Sequence, residues 1–175
     1  MRMDKEALFR EAFESGKDAI YRICCCYVRN PEDRNDAFQE VLLRLYRHIG
    51  SFQGKASLKT WIYRITVNTC LDFLRAQSRR ERILDRKYEE DLTNVSDPGK
   101  YGPQVDGELD VARMYACIQR LPVLDRTLLS LYLEEASTKE MAEVMGISES
   151  NVRVKLSRIK DVLRKMLEGK KNGSR

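Results

Sequence analysis

Residues 137–160, STKEMAEVMGISESNVRVKLSRIK, confine the chain more tightly than any other stretch. They read as two short helices about a tight turn. Ser137 with Glu140 three residues on is a capping box, in which each side chain takes up the other's free backbone N–H. Met141, Ala142, Val144 and Met145 supply apolar contacts, and Ala142 is small enough for a second helix to cross close by. Gly146 stands where a left-handed residue would end the helix. Ile147 then plugs the turn and Ser148 is placed to cap the next helix. In that second helix Val152, Leu156, Ile159 and Leu163 recur at steps of 4, 3 and 4, which makes one buried stripe. That spacing turns Ser150, Asn151, Arg153, Val154, Ser157 and Arg158 outward or to the flanks. Short hydrogen-bonding groups and cations are the tools that read base edges and grip phosphates in a major groove. An ordinary helical hairpin with a solvated face has the same pattern, so the reading leans on the rest of the chain.

Charge supplies part of that support. The net charge of +5 over 175 residues is unevenly spread. Residues 1–84 hold 16 basic and 11 acidic side chains, residues 85–112 hold 3 and 8, and residues 113–175 hold 13 and 8. Two basic blocks flanking an acidic one suggest two modules that each meet a polyanion, joined by a piece that does not. No apolar run approaches membrane length and no secretory signal opens the chain, so a cytoplasmic protein without membrane insertion is expected. The five cysteines are Cys24, Cys25, Cys26, Cys70 and Cys117. Adjacent cysteines on a helix point about 100° apart, so the triplet cannot build a disulfide framework, and small, reduced, partly buried thiols are expected. No spacing resembles a metal site, and no cofactor is implied.

The first helical pattern covers residues 4–29, with Leu8, Phe9, Ala12, Phe13, Ile20, Ile23 and Tyr27 as its contacts and Gly16 as a candidate break. Asn30-Pro31 ends it. A second helix runs from there to about Ile49, with Phe38, Val41, Leu42, Leu45 and Ile49 as its core stripe. Its opposite face carries Asp36, Gln39, Glu40, Leu43 and Arg47. An acidic face with one leucine is no DNA surface; it suits either plain solvation or a protein partner with basic groups. Gly50–Lys59 reads as a loop with an exposed Phe52 and two lysines, Lys55 and Lys59. The helix after it, Thr60 to about Arg80, is apolar on most sides but shows one narrow polar stripe: Arg64, Asn68, Asp72, Arg75 and Arg79, with Trp61 at its N-terminal border. Cations, an amide and aromatic rings together fit single-stranded or melting DNA. Residues 85–110, with prolines and glycines among many acids, read as a flexible linker. Helices resume from about Glu108, and Leu121-Pro122 opens a strongly apolar one up to Leu133. No strand signal of any length is visible, so the expected class is all-α: two small helical domains, 1–84 and 111–170, with a tail at 171–175.

The order of these pieces resembles the extracytoplasmic-function group of the sigma-70 family of bacterial RNA polymerase sigma factors. The likeness rests on PEDRNDAFQEVLLRLYRHIGSFQGKASLKTWIYRITVNTCLDFLR from Pro31 to Arg75, on the RLP-x3-R opening at Arg120, and on the hairpin GISESNVRVKLSRI. It implies that domain 1–84 is sigma region 2. There Asp36, Gln39, Glu40, Leu43 and Arg47 would dock on the clamp coiled coil of the polymerase β′ subunit. The loop with Phe52, Lys55 and Lys59 would hold a base flipped from the −10 element, and Trp61, Arg64, Asn68, Arg75 and Arg79 would lie along that element. Domain 111–170 would be sigma region 4, meeting the polymerase β flap, with Ser148, Ser150, Asn151, Arg153, Val154, Lys155, Ser157 and Arg158 at the −35 element. An anti-sigma protein covering both domains is a further partner the resemblance implies. Two departures stand out. Val154 replaces a usual serine and Lys155 a frequent arginine, which loses a bidentate fork but keeps the charge.

A stand-alone helix-turn-helix regulator of duplex DNA would need the hairpin but nothing like residues 31–80. An enzyme is not expected, because no acid–base pair, metal cluster, phosphate loop or activated nucleophile is present, and His48 is the sole histidine.

Overall fold

The computed structural model describes residues 5–88 and 106–168, with side chains placed for 5–80 and 110–168. Among these, seven α-helices and one 3-10 turn succeed each other without a strand: α1 (Lys5–Tyr27), α2 (Pro31–His48), the turn Ile49–Ser51, α3 (Leu58–Tyr88), α4 (Asp106–Ile118), α5 (Val123–Leu133), α6 (Thr138–Met145) and α7 (Glu149–Glu168). The protein is all-α with two domains, α1–α3 and α4–α7. Residues 89–105, the middle of the stretch read as a flexible linker, lie outside the described residues, as does the tail at 171–175. No described helix is long and apolar enough to cross a membrane.

Local rules account for most boundaries. Asn30 caps α2, its side-chain oxygen accepting from the Glu32 N–H at 2.8 Å, and Pro31 occupies the first helical position, where its missing donor costs nothing. α1 runs unbroken through Gly16, contrary to the candidate break there. A Cβ at that position would sit 3.3 Å from Ile62 Cδ1, so the glycine allows α1 and α3 to approach closely. α3 begins at Leu58 rather than Thr60, because Ser57 caps it by accepting from the Thr60 N–H at 3.0 Å. It also continues past Arg80 to Tyr88. Along α3 the buried Thr66 and Thr69 return their hydroxyls to the carbonyls of Ile62 and Ile65, so polar residues enter the core with partners.

The hairpin at 137–160 forms as expected. Ser137 and Glu140 make the reciprocal capping box. Gly146 adopts φ 67° and ψ 32°, and the N–H groups of Gly146 and Ile147 both close on the Ala142 carbonyl. Ser148 caps α7 through the Asn151 N–H at 3.3 Å.

The two domains do not stand apart as separately placed modules, which the charge pattern suggests. Ile20, Ile23, Tyr27 and Val67 of the first share one continuous apolar core with Ile118, Leu121, Leu128 and Leu131 of the second. The C-terminal end of α1 is the seam. Ile23, Cys24, Cys25, Cys26, Tyr27 and Val28 are buried one after another, which a helix permits only when it is covered on all sides. Cys24 Sγ lies 3.8 Å from Cys70 Sγ on α3. On the opposite side the Cys25 carbonyl accepts from Gln119 Nε2 at 2.7 Å, and Tyr27 donates its phenol to Thr127 Oγ1 on α5 at 2.6 Å. All five cysteines are free and buried. Burial raises the thiol pKa of Cys25 and Cys26, and a hydrogen bond to Cys24 together with burial does so for Cys70.

Candidate nucleic-acid interface

The outer face of α3 carries the first candidate surface. Arg64, Asn68, Arg75 and Arg79 are exposed along it at helical spacing, while Ile62, Tyr63, Val67 and Cys70 point into the core. Asp72, which interrupts the stripe, is engaged from both sides. Arg44 Nη1 of α2 donates to it at 2.8 Å and Arg75 Nη1 at 3.1 Å. The hydrogen bond from Arg44 is the main reason its pKa falls below the usual aspartate value. Asp72 thus ties α2 to α3 while its side chain stays 46% exposed.

At the N-terminal end of α3 the loop meets this edge. Phe52 is half-buried, not exposed as expected, because its ring packs on the half-buried Trp61 with centroids 5.5 Å apart and planes tilted by 59°. Lys55 and Lys59 beside them are exposed, and Gly54 turns the loop with φ 67°. Two rings, two lysines and the α3 arginines make a cationic ledge with an aromatic end, the combination that stacks bases while holding phosphates.

The second surface is the outer face of α7. Val152, Leu156 and Ile159 are buried; Ser148, Ser150, Asn151, Arg153, Val154, Ser157 and Arg158 are exposed and Lys155 half-buried. Val154 is 51% exposed, an apolar tip in a polar field. Arg153 rests on Glu149 one turn earlier at 3.2 Å, a solvated pair that a phosphate can displace.

The third surface is acidic and belongs to α2. Asp36, Gln39, Leu43 and Arg47 are exposed on one face, and Glu40 is half-buried, accepting from Arg44 Nε at 2.8 Å. Leu43 is 49% exposed. Tyr46, also exposed, stands beside this face with Phe9 against its ring edge and Lys5 over it at 4.2 Å. Sequence periodicity passes over Tyr46 because it sits at the border between the core stripe and the polar face.

A set of contacts that sequence reasoning did not foresee joins the two domains across the α3 edge. Arg22 of α1 grips Glu134 with Nε to Oε1 at 2.8 Å and Nη2 to Oε2 at 2.7 Å. Tyr63 donates to the Glu134 carbonyl at 3.3 Å, and burial pushes its phenol up to about 12. The Glu140 carboxylate accepts from the Thr60 hydroxyl at 3.2 Å, and Arg64 Nη2 donates to the Glu143 carbonyl at 3.2 Å. The readable signal was the uninterrupted apolar run Ile23–Val28, which demands cover that α2 and α3 alone do not supply.

Comparison with known proteins agrees with this architecture. Residues 12–80 match Sigma-70 region 2 and residues 112–163 match Sigma-70, region 4. The chain is 30% identical over 171 residues to the ECF RNA polymerase sigma factor SigW of Bacillus subtilis, covering 94% of this chain and 90% of that one. It is 28% identical over 160 residues to the RNA polymerase sigma factor SigV of the same organism, covering 91% and 90%. In structure it is similar to the sigma factor RpoE solved in complex with the anti-sigma factor NepR from Bartonella quintana, with a TM-score of 0.69 at 18% identity, covering 91% and 96%.

Proposed function

This chain belongs to the extracytoplasmic-function group of the sigma-70 family, and we propose that its three exposed faces divide the work of such a factor between them. As a sigma factor it directs RNA polymerase to promoters and initiates transcription. The α2 face, Asp36, Gln39, Glu40, Leu43 and Arg47, docks on the β′ clamp of core polymerase, while the second domain meets the β flap. The α3 edge, with Phe52, Lys55, Lys59, Trp61, Arg64, Asn68, Arg75 and Arg79, takes the melted −10 strand. The α7 face, from Ser148 to Arg158, reads the −35 duplex. The work is binding rather than covalent chemistry, done in the cytoplasm where polymerase resides. A base leaving the duplex gains stacking and hydrogen bonds there, which favours melting. Tethering two weak readers makes the second encounter intramolecular. By analogy with the Bartonella complex, an anti-sigma protein is the expected antagonist.

The observation that carries this reading is that the outward groups of α3 include Arg64, Asn68, Arg75 and Arg79 at one-turn spacing and those of α7 are cations and short polar groups around Val154, whereas the α2 face sets Asp36 and Glu40 beside Gln39, Leu43 and Arg47. Asn68→Ala in polymerase reconstituted with this factor is expected to slow open-complex formation while sparing −35 binding. Leu43→Glu is expected to weaken core binding and leave the isolated factor folded. Normal melting by the first variant removes α3 as the reader; intact core binding by the second removes α2 as the dock.

A further inference from the structure

One residue of the α7 face does not share the chemistry around it. Val154 is 51% exposed near the start of α7, and its helical neighbours three and four residues away, Ser150, Asn151, Ser157 and Arg158, are all polar and exposed. The fold does not ask for valine there. It is turned away from Val152, Leu156 and Ile159, which close the core. On an exposed helix face it is also a poorer helix former than alanine, lysine or glutamate.

The surroundings leave its tip free to touch something. Three of the four neighbours are short, and Arg153, next in the chain, leans back one turn onto Glu149 at 3.2 Å. Ser148 and Ser150 turn their hydroxyls to each other at 3.0 Å. The valine itself is stiff, because one χ1 rotamer dominates in a helix, so its two methyls are in place before any partner arrives.

Groove chemistry decides what such a group can read. In the major groove thymine presents a C5-methyl beside one acceptor, whereas the other bases present amino donors or ring and carbonyl acceptors. Methyl against methyl removes apolar surface from water on both sides. Against an amino or carbonyl group the same valine strips water and returns no hydrogen bond, which costs free energy. The serines around it bond to donors and acceptors alike, so they do not make this distinction.

We propose that Val154 is a specificity-determining residue of the −35 contact that reads the C5-methyl of one thymine, so that this factor selects a T·A pair at the position facing the start of α7. The proposal rests on the reading of α7 given above and adds the base to it.

The test uses core polymerase carrying the full chain. Promoters are selected from a duplex library randomised across the −35 region. Each enriched thymine is then replaced in turn by deoxyuridine, which removes the methyl and leaves every hydrogen-bonding group in place. At one position deoxyuridine is expected to weaken binding by the parent about fourfold, as expected for one buried methyl group. Val154→Ala should weaken binding to the thymine promoter by at least a similar factor and be indifferent to deoxyuridine there, since one partner of the contact is already gone. Val162→Ala, the same truncation at a 46% exposed position further along α7, should respond to deoxyuridine as the parent does. Enrichment of no thymine, a parent indifferent to deoxyuridine at every position, or an equal deoxyuridine effect in the parent and Val154→Ala overturns the thymine reading, even where Arg153→Ala still weakens −35 binding. If neither Arg153→Ala nor Val154→Ala changes −35 binding, α7 is not the reader, and the assignment beneath the proposal falls with it.

Discussion

The ring of Phe52 leans on the indole of Trp61 at 5.5 Å, so the loop before α3 is fastened to the helix it precedes. This joins the two aromatic groups of the proposed −10 pocket into one unit and lets the protein report on itself, because Trp61 is the only tryptophan. Its emission in the free protein is expected to shift to the red in Phe52→Ala, where the indole loses its cover. Single-stranded DNA is expected to quench it in the parent protein. Emission indifferent to DNA there removes Trp61 from the stacking platform.

Gly16 sets the spacing of α1 and α3. A Cβ there meets the flexible end of Ile62 at 3.3 Å, so Gly16→Ala should be nearly neutral, its helix gain of about 1 kcal/mol offset by the squeeze. Gly16→Val has no such room and should cost about 1–3 kcal/mol in urea unfolding. Shortening the neighbour in Gly16→Val/Ile62→Val should recover part of that loss. A valine tolerated at full stability would mean that the helices separate without cost.

Arg153 projects from α7 beside Val154, held only by a solvated pair with Glu149. Arg153→Ala should weaken −35 duplex binding and reduce the slope of log K against log salt by about 0.9 if the contact is to phosphate. Loss of affinity with an unchanged slope and relaxed sequence preference assigns the residue to a base instead. No loss of either kind takes it out of the interface.

Acid should loosen the molecule by a route that can be traced. The pKa of Asp72 is lowered, chiefly by its hydrogen bond from Arg44, and that of Glu140 is lowered, chiefly by the Ser137 N–H. A carboxylate depressed on folding contributes stability that is fully present above its ordinary value, 3.8 and 4.5 respectively, and lost as pH falls through the folded value. Asp72→Asn/Glu140→Gln should therefore be less stable than the parent at pH 7, and the gap should narrow toward pH 3. Parallel stability curves would show that neither carboxylate is linked to folding.

The helices themselves are legible in the sequence because their causes are local. A capping box at Ser137, a left-handed glycine at 146, a proline at a helix start and a stripe recurring at steps of 3 and 4 act within a few residues of one another. The same locality explains why the outward faces of α2, α3 and α7 can be named from residue order. Ser57 shows where such reading slips: its cap on α3 lies inside a stretch rich in glycine and serine, where composition argues for loop and only the helix axis shows which hydroxyl faces the free N–H.

Residue order alone thus settled the helical class, the hairpin and the side chains each helix turns outward, because backbone propensity and period depend on neighbours in the chain. It took the folded molecule to bring Arg22 to Glu134 across 112 residues, to lay Phe52 on Trp61 and to fill a seam with Cys24–Cys26. Those pairings depend on how apolar faces from distant segments cover one another. Burial of that kind has no direction of its own, so no local pattern encodes which face will meet which.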